Sequence, residues 1–240
     1  FFDHHLCHAI PSYYLSPFSG NEALSLTIDG QGDGYFSKLF YFNEKGNFKL
    51  VGKSSADFLG EGDKFLSIGR LYNYFTSAMD LRANSDEGKV EALAAYGIAD
   101  ESLYKSLMNA TYIDKSQLTI NFDEEQIIKF YDIAWLKKQR KVVGDENFCA
   151  SIQKYLEDIM VEYLNLAYKK YPTKNLCLSG GVAANIIMSL AIFEQTNFKN
   201  IYVYPAMGDD GLALGSAILT AHSMDEDISW LKDFQMPYFG

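Results

Sequence analysis

Three of the four histidines of this 240-residue chain stand together in His4-His5-Leu6-Cys7-His8. A metal ion needs ligands that can give up a proton and be brought close together. Histidines four residues apart on a helix turn their imidazoles to one face. His4 and His8 have that spacing. His5 points about 100° away around the helix and fits a supporting, substrate-facing or structural group. The same stretch also fits an aromatic-rich helix that buries a histidine to fill space, so spacing alone leaves metal binding and packing both open.

Two histidines leave coordination positions free. Asp209, in Gly208-Asp209-Asp210-Gly211, can fill one from the end of a strand, where open α/β sheets place their functional loops. Capping the small-residue helix that follows would account for one aspartate, but two acids between glycines exceed that need. Ser179-Gly180-Gly181 lies between a buried strand and a helix. It can present bare amides to an anion or nucleotide, or simply make a sharp turn. Asp29-Gly30-Gln31-Gly32-Asp33-Gly34 ends one strand and turns into the next, as in the phosphate- and metal-holding loops of actin-like ATPases and sugar kinases; a flexible hairpin reads the same. Glu87-Gly88-Lys89 opens a helix, where Lys89 either neutralises phosphate or carboxylate charge or lies on a solvated face.

The surrounding elements must position these groups. The pattern predicts a short helix over residues 2–14, then strands at 24–28, 35–42 and 48–51 joined by the glycine-rich turn 29–34. Helices follow at 64–78 and 85–96, the second with Ser85 as N-cap and Gly97 as its stop. Residues 98–144 are lysine-rich and acidic by turns. They are read as an insertion or lid with a strand at 118–120 and a helix near 124–131. A long helix at 146–171, a strand at 175–178, a helix to about 195, a strand at 201–204 and a helix at 212–221 complete the chain. Strand and helix alternation of this kind predicts an α/β fold, a mixed sheet flanked by helices.

A net charge of -10 and a pI near 4.8 argue against a nucleic-acid groove or an anionic membrane surface. Cys7, Cys149 and Cys177 are too few and too scattered for a disulfide framework. A reducing, cytoplasmic location is expected, with no membrane span and no leader. The chain opens at Phe1 without a methionine and runs straight into the histidine helix, so a fragment of a longer protein is expected.

Taken in order, these loops, with Ser67-Ile68-Gly69-Arg70-Leu71-Tyr72, Glu87-Gly88-Lys89-Val90, Leu93-Ala94-Ala95-Tyr96-Gly97 and Ser179-Gly180-Gly181-Val182-Ala183-Ala184-Asn185, resemble the nodulation-protein-U-type O-carbamoyltransferases across nearly the whole chain. The resemblance implies an actin-like ATPase (ribonuclease H-like) fold. Residues 1–240 would form most of one domain, lacking the early sheet of the first lobe and the YrdC-like domain of the full-length protein. It implies that carbamoyl phosphate and ATP give carbamoyladenylate, whose carbamoyl group passes to the hydroxyl of a small acceptor. By the same resemblance His4, His8 and Asp209 hold a divalent metal of the iron type, and Asp29 is a further ligand or phosphate-loop group. Asp29, Gly30, Glu87, Lys89, Gly180, Gly181, Val182, Asn185 and Asp210 line the nucleotide site. His5 or a metal-bound group serves as base, with Asp29 beside it, and a homodimer is one open arrangement. The family commonly has methionine and glycine after Lys-Val, where Glu91 and Ala92 stand here. An actin-like sugar kinase or ATPase, or a non-catalytic nucleotide-binding module, is the alternative.

Overall fold

The computed structural model describes residues 1–60 and 65–233. The first helix, α1 (His4–Tyr14), begins at Asp3, whose carboxylate accepts a 2.9 Å hydrogen bond from the Leu6 amide and so satisfies a free N–H of the first turn. β1 (Ala23–Gly32), β2 (Tyr35–Phe42) and β3 (Phe48–Ser55) follow as an antiparallel meander. The β1–β2 turn is only Asp33-Gly34, with φ of 50° and 80°, the backbone that a two-residue hairpin demands and Asp-Gly tolerates. The expected glycine-rich turn over 29–34 is therefore mostly strand. Residues 29–32 continue β1 through an irregular register between Ile28 and Gly32, which breaks the regular ladder where the functional groups sit.

α2 (Ile68–Ala78) starts at Ser67, whose hydroxyl accepts from the Arg70 amide at 3.0 Å. Lys64, where this helix was expected to begin, lies outside the described residues. α3 (Glu87–Ala94) is shorter than expected. Asp86, rather than Ser85, holds the N-cap position, and its carboxylate pairs with Arg82 and Lys89 instead of capping. Gly97 is required by contact: a Cβ there would lie 2.1 Å from the Glu146 carbonyl oxygen.

Residues 98–144 form α4 (Glu101–Asn109), a hairpin of β4 (Thr111–Asp114) and β5 (Thr119–Phe122), α5 (Glu124–Ile127) running into a 3-10 turn, and α6 (Ile133–Val143). Leu103, Leu107, Ile120, Phe130 and Leu136 are buried with the main core, and the Ile120 amide donates to Ser54 Oγ at 2.9 Å, which ties the segment to β3. The long α7 (Asp145–Lys170) precedes β6 (Asn175–Ser179), α8 (Ile186–Gln195), β7 (Asn200–Val203) and α9 (Leu212–Ser223).

The main sheet has the order β3-β2-β1-β6-β7, with β6 parallel to both β1 and β7. This mixed sheet flanked by helices is the architecture read from the sequence. Leu24, Leu26 and Ile28 of β1 and Leu176 and Leu178 of β6 face the core of α2, α3 and α7. Ala23 and Cys177 face the opposite layer, where Cys7, Ile10 and Tyr13 of α1 meet Ile218 and Leu219 of α9. All three cysteines are free and buried. No helix among the described residues is long and apolar enough to cross a membrane.

Pro11 lies inside α1 and has no N–H to give the Cys7 carbonyl one turn back. Gly215 of α9 comes up against that carbonyl so closely that a Cβ would stand 1.9 Å from its oxygen. Gly215→Ala should therefore lower stability by about 1–3 kcal/mol through overpacking, against a gain of roughly 1 kcal/mol in helix propensity. Denaturant titration reads the net loss, and a variant as stable as the wild type would show that α1 and α9 can separate freely.

Candidate metal and nucleotide site

The first turn of α1 is anchored to the β1–β2 hairpin by polar contacts. The His4 amide donates to Asp33 Oδ2 at 2.8 Å. Buried Lys38 of β2 forms an ion pair with Asp3. His5 is fully buried, with Nδ1 2.8 Å from Thr27 Oγ1 and Nε2 3.0 Å from the Tyr35 carbonyl. Burial pushes its pKa down to about 4, so it is a neutral imidazole at neutral pH. With both nitrogens engaged beneath the helix, His5 is placed to orient α1 and not to meet a ligand in the cleft, which corrects its expected role as base.

His4 and His8 share the outward face of this turn and converge on two carboxylates. His8 Nε2 lies 3.1 Å from Asp29 Oδ2 and 3.4 Å from Asp209 Oδ1, and His4 Nε2 lies 3.5 and 3.6 Å from the same two oxygens. One donor atom from each of His4, His8, Asp29 and Asp209 falls within 4.8 Å of every other. His4 Nε2 is buried without a hydrogen-bond partner. A buried ring nitrogen aimed at two carboxylates and bonded to neither is what a cation between them would complete. Imidazole and carboxylate donors together suit a borderline divalent ion.

Burial works against the charge on Asp29, but the neighbouring His4 and His8 imidazoles and the Gly30 amide hold its carboxyl well below the usual carboxylate range. The Asp29 carboxylate, with Asp209 and against burial, pulls the His4 pKa up. Asp209 is delivered by the 3-10 turn between β7 and α9, and its side chain is 72% exposed, so the cluster is open on one side. That side gives onto a cavity of about 640 Å³.

Asp29, Gly30, Glu87, Gly181, Val182 and Asn185, and with them Asp209, all line this cavity. Asn185 is also structural: its Oδ1 caps the Met188 amide at 2.7 Å, and its amide pairs with Gln153. Glu87 accepts from the Asn84 amide at 2.6 Å. Gly180, Lys89 and Asp210 do not line the cavity. Gly180 has φ of 88° and would bring a Cβ within 2.1 Å of the Ile28 oxygen, while its amide already donates to Met207, so its task is close packing and not anion binding. Lys89 is mostly exposed and paired with Asp86, which leaves it on the solvated face. Asp210 is exposed beside Gly208 and stands outside the four-residue cluster.

Arg70, Tyr72, Asn73, Asn84 and Glu91 also line the cavity, and none of them has an expected role from the sequence. Glu91 accepts from the Ile187 amide at 2.9 Å and ties α3 to the start of α8. Arg70 carried a legible signal, because a cation in the first turn of a helix runs against the helix dipole.

A family model described as carbamoyltransferase N-terminus matches residues 1–218, and the chain belongs to that family. It is 47% identical to the uncharacterized protein MJ1058 of Methanocaldococcus jannaschii over the whole of this chain and 40% of that protein. It is 30% identical to the nodulation protein NolNO of Sinorhizobium fredii over 94% of this chain and 32% of that one. The chain thus spans less than half the length of these relatives. Among solved structures, full-length HypF in its phosphate- and nucleotide-bound form superposes with a TM-score of 0.63 at 16% identity, over 95% of this chain and 44% of HypF. At that identity the likeness speaks for the fold alone, a mixed α/β sheet flanked by helices.

Gly32 sits directly against the His4 ring, and a Cβ there would fall 2.1 Å from His4 Cδ2. Gly32→Ala should push the imidazole off the cluster and weaken divalent-metal binding by roughly 10- to 100-fold, as loss of an orienting contact does, with the circular dichroism spectrum unchanged. Isothermal titration with iron(II), manganese(II) and zinc(II) reads the effect; wild-type affinity in the variant would mean that His4 is not a ligand.

Proposed function

We propose that this member of the carbamoyltransferase family is the transfer part of a larger enzyme that carries a carbamoyl group from carbamoyladenylate to the hydroxyl of a small acceptor. The observation that carries the reading is the convergence of His4, His8, Asp29 and Asp209 within 4.8 Å at the edge of a 640 Å³ cavity. Family membership supports carbamoyl transfer, and the name of the nucleotide-bound HypF structure supports a nucleotide in the same fold. ATP and carbamoyl phosphate are the co-substrates of this proposal. A YrdC-like domain elsewhere in the full-length protein forms the adenylate, and the 240 residues are most of the actin-like domain. Free, buried thiols fit a reducing compartment, the cytoplasm.

In this reading His4, His8, Asp29 and Asp209 hold a divalent metal, iron by resemblance. Bound there, the metal supplies Lewis acidity toward a phosphate or carbonyl oxygen. The chain's own residues do the rest. Gly30, Gly181 and Gly208, with no side chains, let a phosphate come up to the backbone, and Glu87, Val182 and Asn185 line the space beside it. When the carbamoyl carbon bonds to the acceptor oxygen, its bond to the adenylate oxygen breaks and that electron pair stays with the phosphate. The acceptor's proton leaves to a base other than His5, whose nitrogens are both engaged.

The test is the full-length protein with ATP, carbamoyl phosphate and a panel of sugar acceptors. Carbamoyl phosphate-dependent ATP consumption and an acceptor heavier by one carbamoyl group are expected, with Asp29→Asn slowing transfer by roughly a hundredfold or more. An acceptor that gains phosphate, with ATP use indifferent to carbamoyl phosphate, would make the protein a kinase of the same fold and overturn the proposal.

A further inference from the structure

Arg70 is the one cation among the described residues lining the cavity, which otherwise presents the carboxylates of Asp29, Glu87, Glu91 and Asp209. It stands in the first turn of α2, held by the Ser67 hydroxyl on its amide at 3.0 Å. Gly69, beside it, is pressed onto the Asp29 backbone, where a Cβ would lie 2.7 Å from the carbonyl oxygen. The base of the Arg70 side chain is thereby fixed relative to Asp29. The side chain crosses Gly30, and a Cβ on Gly30 would come 3.5 Å from Nε.

The Nε–H of the guanidinium is nevertheless unspent. Nε is buried and has no hydrogen-bond partner, and among the described residues Arg70 forms no ion pair despite four carboxylates around the same cavity. A buried N–H without an acceptor is costly, and native structures retain one chiefly where a ligand, an ion or an ordered water supplies the missing oxygen. Nε and the neighbouring Nη form a side-on fork that matches two oxygens of one anion. Simple neutralisation of the acidic wall would have produced a carboxylate contact, which is absent among the described residues.

We propose that Arg70 is the anion subsite of this cavity, taking two oxygens of a phosphate monoester on the bound ligand from the side of Gly30, next to the four-residue cluster but not part of it. The proposal deepens the nucleotide reading given above and rests on it for the identity of the ligand. Arg70 then sets the ligand's register: it selects a phosphorylated ligand over the same ligand without phosphate, and it orients that phosphate toward Asp29.

The experiment compares wild type, Arg70→Met and Arg70→Lys by calorimetry with adenosine 5′-monophosphate, adenosine and inorganic phosphate, after thermal melts establish that each variant is folded. Arg70→Met should weaken the monophosphate and inorganic phosphate by about tenfold or more and leave adenosine unchanged. Arg70→Lys should recover only part of the loss, because it keeps the charge and lacks the fork. Monophosphate binding within twofold of wild type in Arg70→Met, an equal loss for adenosine, or no Arg70-dependent binding of any of the three would overturn the subsite. Arg70-dependent binding of inorganic phosphate by a wild type indifferent to both adenosine ligands would uphold the subsite and sink the nucleotide reading alone.

Discussion

The site depends on how α1 is docked to the sheet. Helices usually lie on sheets through apolar faces, yet β1 offers α1 the buried hydroxyls of Ser25 and Thr27. Ser12 and His5 meet them at 2.8 Å each. With the Lys38–Asp3 ion pair and the His4–Asp33 bond, these contacts fix the helix in rotation and in translation along its axis. Apolar packing alone would tolerate slippage; directional bonds between buried groups do not, because a slip would leave each group unsatisfied in a dry interface. The orientation of His4 and His8 toward Asp29 follows from this docking.

Close backbone approach is the second constraint, and it recurs around the cluster. Gly32 admits the His4 ring, Gly69 admits α2 onto the Asp29 backbone, Gly180 lets the 3-10 turn after β6 reach Ile28, and Gly215 lets α9 reach Cys7. Each removes a side chain where two elements must come nearer than a methyl group permits. The placement of the four-residue cluster is thus set in part by residues that donate nothing to it. Two of them, Gly32 and Gly180, stand within motifs whose residues alone fit either a turn or a phosphate-binding loop.

Much of this was legible from the residues. The helix carrying His4 and His8, the meander, the strand-helix alternation and the Asp209 turn all follow local pattern, and local pattern decides those elements. Three things were hidden, each for a physical reason. The length of β1 was underestimated because glycines and an aspartate at a strand end look like a turn, whereas pairing with β2 keeps them extended. The elements α4 and α6 were blurred by polar surfaces that leave only narrow apolar stripes, Leu103 and Leu107 on α4 and Leu136 on α6, and β4 is only four residues long. The roles of His5, Gly180 and Lys89 depend on tertiary partners, Tyr35, Ile28 and Asp86, that no spacing reveals.

The partnership of α1 with α9 also bears on how the chain must assemble. Cys7 and Ser216, whose side chains meet at 3.4 Å, are separated by 209 positions, and Asp209 reaches the cluster from the same late stretch. Synthesis runs from the N- to the C-terminus, so α1 leaves the ribosome well before α9 and then waits, with the side that α9 covers still open, until the chain through α9 has been translated. A contact of such sequence separation gains nothing from local structure and carries a large loop-closure cost, so it forms late. The order of synthesis therefore imposes an order of maturation: sheet and large core first, and the four-donor centre only when α9 closes over the helix that has been waiting for it.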